Sequence, residues 1–175
     1  MKKIILILVL LSIFLSVYGQ EKSLMIPSNK MNIGLGIGRD YGGFGARFTF
    51  LPTERFALFG ALGYNIIGLG VNGGGFFRIS PGKRVCPFAG AMYGYNAVIK
   101  VTGSIEFKKV YYGPTFIIGT ELWSFMKKDY FNIELVIPLT PSEYKADYDE
   151  LKNMGVEFKV PSIPIGFSLG YHFAF

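Results

Sequence analysis

A chain of 175 residues with a formal net charge of +6 suits one domain and is too weakly basic to point to nucleic acid. Its single cysteine, Cys86, excludes an intramolecular disulfide, and one histidine leaves no cysteine and histidine cluster for a metal. The 23 glycines stand beside 17 phenylalanines and 11 tyrosines. Glycine weakens helices and aromatic residues favour strands, so the composition leans towards an all-β fold.

The chain opens with Lys2 and Lys3 and runs apolar from Ile4 to Val17, broken only by Ser12 and Ser16. With Val17 and Gly19 at cleavage spacing, residues 1–19 read as a secretory signal peptide, the run being shorter than the ~20 residues a spanning helix needs. The alternative is an uncleaved membrane anchor. Residues 20–30 are polar, contain Pro27 and read as a short leader.

From Met31 a period of two begins and recurs through residues 31–175, with turn signals between the segments. The first strand, about Met31 to Arg39, alternates Met31, Ile33, Leu35 and Ile37 with asparagine and glycine, and a tight turn at Asp40 to Gly43 follows. The second alternates Phe44, Ala46, Phe48 and Phe50 with Gly45, Arg47 and Thr49. The third, about Arg55 to Asn65, sets Phe56, Leu58, Leu62 and Tyr64 against Ala57, Phe59, Ala61 and Gly63. The fourth runs to Ser80, with Val71, Phe77 and Ile79 opposite Asn72, Gly74, Phe76 and Arg78.

The fifth strand, about Val85 to Asn96, leaves its facing open, because Ala89, Ala91, Tyr93 and Tyr95 compete with Phe88 and Met92. A longer connection, about Ala97 to Glu106, leads to the sixth, about Phe107 to Leu122. There Tyr112, Phe116, Ile118 and Leu122 oppose Tyr111, Gly113, Thr115, Gly119 and Glu121. The seventh, about Tyr130 to Pro138, alternates Phe131, Ile133, Leu135 and Ile137 with Asn132, Glu134 and Val136.

The longest connection, about Leu139 to Ser162, holds Tyr144, Tyr148 and Leu151 at helical spacing between Pro141 and Gly155. Proline near the start and glycine past the end predict a short amphipathic helix. The eighth strand, Ile163 to Phe175, places an apolar or aromatic residue at every second position: Ile163, Ile165, Phe167, Leu169, Tyr171, Phe173 and Phe175. Connections after strands two, four and six are short and those after five and seven long, while those after one and three are also short, which weakens the asymmetry without reversing it; tight turns would lie at one rim and the larger loops at the other.

Two environments would suit the greasy face: a protein core or lipid. The opposite face is mostly Gly, Ala, Ser and Asn, a poor coat against water but a good filling for the narrow interior of an eight-stranded barrel. Arg47, Arg78, Glu121 and Glu134, charged residues within strands, lie on that face. Two positive and two negative side chains can satisfy one another where one alone would be costly, which predicts an internal salt-bridged plug.

Gly170, Tyr171, His172, Phe173, Ala174 and Phe175, with the eight alternating segments and the leader, resemble the small eight-stranded outer-membrane barrels of Gram-negative bacteria, of the OmpA and OmpX type. The resemblance covers Met31 to Phe175. It implies an all-β, antiparallel up-and-down barrel in the outer membrane, monomeric, in contact with outer-membrane lipid and handled by the barrel-assembly machinery during insertion. Tyr171, Phe173 and Phe175 would form the C-terminal assembly signal. Departures are Pro87, Pro114 and Pro164: proline cannot donate to a strand ladder, so each is expected at a rim, a bulge or a strand end.

Catalysis has little to work with. Ser168 and His172 share a strand face, and no acid is placed beside them, so His172 reads as a lumen-filling or rim residue rather than a base. No catalytic, cofactor-binding or metal-binding residue is assigned and no cofactor is expected. Gly73, Gly74 and Gly75 lack the lysine and hydroxyl residue of a phosphate loop. The expected function is a non-enzymatic barrel with a filled lumen, acting structurally or through its loops on a surface ligand or host protein. A lipid-modifying membrane enzyme and a soluble lipocalin-like carrier are the alternatives; the carrier's glycine and tryptophan signature is missing near the first strand, since Trp123 lies far downstream.

Overall fold

The computed structural model describes residues 30–65, 67–101, 106–124, 129–156, 158 and 165–175; the expected signal peptide, most of the leader, Ile163 and Pro164 lie outside them. Among the described residues the strands are β1 (Met31–Gly38), β2 (Gly43–Phe50), β3 (Phe56–Tyr64), β4 (Leu69–Arg78), β5 (Val85–Val101), β6 (Phe107–Trp123), β7 (Asp129–Pro138) and β8 (Gly166–Ala174). A helix, α1 (Ser142–Asn153), lies between the last two. Each strand pairs antiparallel with its sequence neighbours, and β8 returns to β1 to close a barrel. Closure leaves no open sheet edge around the wall. The seam continues past the strands, where Phe175 N donates to Met31 O at 2.9 Å.

Alternation sorts side chains between wall faces as the pattern predicted. Ile33, Leu35 and Ile37 on β1, Leu58 and Leu62 on β3, and Phe167, Leu169 and Phe173 on β8 point outward and are exposed, Phe167 by 75%. Asn32, Arg47, Asn72, Glu134 and His172 point inward and are buried. A soluble protein rarely leaves an apolar patch of more than a few hundred Å² uncovered, and here the whole wall is one. Inside, Phe59, Phe76, Phe88, Met92, Ile117 and Val136 form an apolar cluster, each contributing roughly 1.5–3 kcal/mol where burial is complete.

The facing of β5 is now plain. Cys86, Phe88 and Met92 point inward while Ala89, Ala91 and Tyr93 point outward, so its bulky side chains fill the lumen and its outer face is the smoother one. Its register against β6 then shifts between Tyr95 and Ala97, and the strand continues to Val101 instead of ending at Asn96. The extra residue breaks the period of two, which is why a loop was expected from Ala97. Elsewhere boundaries move by little: β1 ends at Gly38, with Arg39 in the turn, and β6 extends to Trp123.

Two of the three prolines sit where a ladder stops. The Pro87 carbonyl accepts from Ile79 N at 2.8 Å just past the end of β4, and the Pro114 carbonyl accepts from Leu139 N at 2.9 Å just past the end of β7. A residue's N–H and C=O point to the same side of a strand, so each missing donor faces a neighbour that has already ended.

The connections divide as expected. Links β2–β3, β4–β5 and β6–β7 lie at the end that holds Lys30 and Phe175. At the opposite end β1–β2 and β3–β4 are also short, the latter held by Asn65 Oδ1 accepting from Ile67 N at 3.0 Å and Gly68 N at 3.2 Å. Among the described residues, the β5–β6 hairpin and α1 rise above the wall.

The predicted helix forms and lies against that hairpin, with Leu151 buried on Ile99 and Tyr111 and with Tyr144, Tyr148, Val156 and Phe158 around them. Asp147 accepts from Lys109 Nζ at 2.7 Å and from the Tyr111 hydroxyl at 2.6 Å; Glu143 also accepts from Lys109 Nζ, at 2.8 Å. These bonds, that from Lys109 first, hold the Asp147 carboxyl below its ordinary value of 3.8. A depressed carboxylate stabilises its contact fully above the ordinary value and loses that contribution as pH falls through the lowered one. The protection factor of the α1 amides, their exchange taken relative to the intrinsic rate at each pH, is therefore expected to be constant above about pH 5 and to fall below about pH 4, with Asp147→Asn removing the dependence. A profile unchanged in Asp147→Asn would place the switch elsewhere.

Candidate functional site

The interior is where the chain concentrates its polar chemistry. Arg47 on β2 crosses the lumen to Glu134 on β7, Nη1 to Oε1 at 2.6 Å, and the same nitrogen donates to Asp40 Oδ2 at 2.9 Å. Both Arg47 and Glu134 are 1% exposed. One guanidinium thus serves two carboxylates, the geometry in which a single cation suppresses the repulsion of a like-charged pair. The guanidinium also lies over the rings of Tyr41 and Phe59, at 4.9 and 5.1 Å from their centroids.

Asp40 and Tyr41 come from the β1–β2 turn, which folds both side chains down into the barrel, where they are fully buried. The turn is closed by Gly42 N donating to Arg39 O at 3.0 Å, and Gly42 has φ of 71°, which a side chain would resist. Asn72 Nδ2 on β4 fastens it with bonds to Arg39 O at 2.6 Å and Asp40 O at 3.0 Å. Space for the Tyr41 ring comes from glycine on the inner wall: a Cβ on Gly170 would collide with the Tyr41 hydroxyl and meet Asn132 Oδ1.

His172 on β8 completes this group. Its Nδ1 lies 2.9 Å from Asn32 Oδ1, an acceptor, so that nitrogen carries the proton; Nε2 lies 2.6 Å from the Tyr41 hydroxyl and 3.3 Å from Arg47 Nη2. The Tyr41 hydroxyl is also 2.9 Å from Asn132 Oδ1, and Asn132 Nδ2 donates onward to Glu134 Oε1. The imidazole stacks on Tyr130 at 4.6 Å, and the Tyr130 hydroxyl donates to Asn32 Oδ1 at 3.0 Å. Of the two sequence expectations for His172, filling the lumen and lining the rim, the structure shows the first. No hydrogen bond joins it to Ser168 among the described residues, although both are buried on the same face.

Arg78 and Glu121 form a second, separate group near the other end. Arg78 Nη2 and Nε donate to Glu121 Oε2 at 2.7 and 3.0 Å, and Trp123 Nε1 donates to the same oxygen at 2.9 Å. The Arg78 Nη1 bond to Glu54 O, 3.1 Å, reaches the β2–β3 turn. The four charges read from the sequence are therefore brought together as two pairs rather than one network. Asp40, Tyr41, Asn32, Asn132 and Tyr130 complete the groups without having been assigned a role. The two asparagines fall on the inner face by alternation; Asp40 opens the tight turn after the first strand, where alternation gives no facing.

Tyr171, Phe173 and Phe175, on which the resemblance rested, all point outward. Tyr171 donates its hydroxyl to Asp129, and its ring meets Phe173 edge-on at 5.0 Å.

This chain is similar to the crystal structure of the N-terminal β-barrel domain of Pseudomonas aeruginosa OprF, with a TM-score of 0.54 at 12% identity over 84% of this chain and 98% of that one. The fold is that of a small outer-membrane β-barrel. No family model and no curated protein matches the sequence. At this identity the likeness speaks for architecture, so the interior pairings have to be argued from their own geometry.

Proposed function

We propose that the protein is a non-enzymatic barrel of the outer membrane of a Gram-negative bacterium, with lipid against its wall and a lumen closed by its own side chains. One observation carries this reading: large apolar side chains cover the outer wall, and the charges Arg47, Glu134, Arg78 and Glu121 are turned inward and paired with one another. Within lipid every backbone polar group has to be satisfied inside the protein, and a closed barrel meets that condition. In the interior, the Arg47 group, the Arg78 group and the apolar cluster between the walls act as a stopper. His172 is held by bonds at both ring nitrogens, which suits a structural part better than a base.

Orientation follows from the same reading: the short links β2–β3, β4–β5 and β6–β7 face the periplasm, while the β5–β6 hairpin and α1 stand outside the cell. Interaction with a surface ligand or host protein would use these projecting parts, within residues 97–106 and 139–162. Tyr171, Phe173 and Phe175 would serve as the signal read by the assembly machinery.

The test is a charge on the wall. Leu35 is 57% exposed near the middle of β1. In lipid, Leu35→Arg is expected to destabilise the barrel by about 2–4 kcal/mol. Urea unfolding in phospholipid vesicles, followed by the heat-dependent shift in gel migration, gives the value. A soluble carrier would tolerate the same change within about 0.5 kcal/mol and would fractionate without detergent.

A further inference from the structure

Where the β5–β6 hairpin leaves the barrel, its outer face continues the lipid-facing wall. On β6 that face reads Phe116, then Tyr112, both exposed, and then Val110 and Lys108. On β5, after the register shift, Val98 stands directly opposite Val110 and Lys100 directly opposite Lys108. The opposite face of the hairpin belongs to the helix, since Ile99 and Tyr111 pack on Leu151 there. Lys109, on that face, is engaged by Glu143 and Asp147.

Lys100 and Lys108 thus form a directly opposed like-charge pair, an arrangement that destabilises a sheet unless an anion lies between. Among the described residues Glu106 reaches Lys108, at 2.5 Å and on the exposed surface, and does not reach Lys100. Lys100 has no ion pair among the described residues. The pair stands four residues beyond Tyr112, about 13 Å of strand above an aromatic side chain of the lipid-facing wall. Long lysine stems lying over Val98 and Val110 would keep their heads at the level of lipid headgroups.

We propose that Lys100 and Lys108 form a seat for the phosphate of a lipid in the outer leaflet. The proposal rests on the membrane reading above. Opposed side chains in a sheet have Cβ atoms about 4.5–5.5 Å apart, so both ammonium groups can reach one phosphate. The occupant is a lipid rather than a free anion because the seat continues an apolar wall and not a polar pocket.

The experiment uses the full chain purified in a neutral detergent and native mass spectrometry, with phosphatidic acid as the phosphate-bearing probe and phosphatidylcholine as the comparison. The unaltered protein is expected to retain phosphatidic acid about tenfold better than phosphatidylcholine. Lys100→Gln with Lys108→Gln is expected to bring the ratio to about one, while Lys145→Gln on the exposed side of α1 leaves it unchanged. Inorganic phosphate added in molar equivalence to the lipid is expected not to displace it.

Three results would overturn the proposal: no preference in the unaltered protein, a preference kept by the double variant, or displacement by inorganic phosphate. The Leu35→Arg experiment fails or succeeds independently. A barrel shown to sit in lipid but indifferent to phosphatidic acid removes this seat alone.

Discussion

Arg47→Leu lowers the stability of the folded barrel by about 3–5 kcal/mol, the cost of stranding buried charge. Asp40 and Glu134 both depend on this guanidinium, at 2.9 and 2.6 Å, and both carboxylates are fully buried. The loss is expected to be mostly a penalty on the orphaned carboxylates. Neutralising them should therefore recover much of it: the triple variant Arg47→Leu, Asp40→Asn, Glu134→Gln is expected to lie within about 2 kcal/mol of the unaltered protein. Reversing the charge at Glu134 to lysine should be at least as damaging as Arg47→Leu, since two cations would then face Asp40 alone. Urea midpoints, read from the heat-dependent shift in gel migration, measure all of these. An unchanged midpoint in Arg47→Leu would mean that the group is solvated and closes nothing.

Gly170→Val is the second large effect, and it acts through shape. A Cβ at Gly170 would meet the Tyr41 hydroxyl, so any side chain there has to expel the ring or distort β8. Overpacking of this kind costs about 1–3 kcal/mol, and losing the one hydrogen bond that the Tyr41 hydroxyl can donate, to Asn132 Oδ1 or to His172 Nε2, adds about 0.5–1.5 kcal/mol. Removing the obstacle should soften the penalty. In a Tyr41→Ala background the cost of Gly170→Val is expected to fall by at least about 1 kcal/mol, because the two residues contact each other and their effects cannot add. Strict additivity in that double-mutant cycle would show that Tyr41 does not occupy the space beside Gly170.

Both effects depend on the β1–β2 turn, which sequence reasoning had treated as a simple connection. Nothing in Asp40, Tyr41, Gly42 and Gly43 taken alone says that the first two side chains dip into a lumen. The signal lay at a distance: Gly170, on the far side of the barrel seam, leaves a gap of the size of a tyrosine ring. Recognising it requires the closure of β8 on β1, which brings Gly36 opposite Gly170 and Gly34 opposite His172.

Much else was legible beforehand. Seven of the eight facings follow from alternation, because successive side chains on a strand must point to opposite sides whatever the strand is paired with. The helix followed from Pro141, Tyr144, Tyr148, Leu151 and Gly155, a local signal that its docking on Ile99 and Tyr111 only reinforces. β5 escaped for two physical reasons: its bulky side chains are inside, opposite to its neighbours, and the register shift at Tyr95 and Ala97 reverses its parity partway along.

By itself, then, the sequence determined which residues share a face, that one face is greasy and the other small and polar, and that the charges Arg47, Arg78, Glu121 and Glu134 belong on the polar side. Covalent geometry and composition suffice for that. The tertiary structure decided which charge meets which: Arg47 with Glu134 and Asp40, Arg78 with Glu121. Partners across a barrel are set by register and by the tilt of the closed wall, and these belong to the pairing of strands far apart in the chain rather than to any one of them.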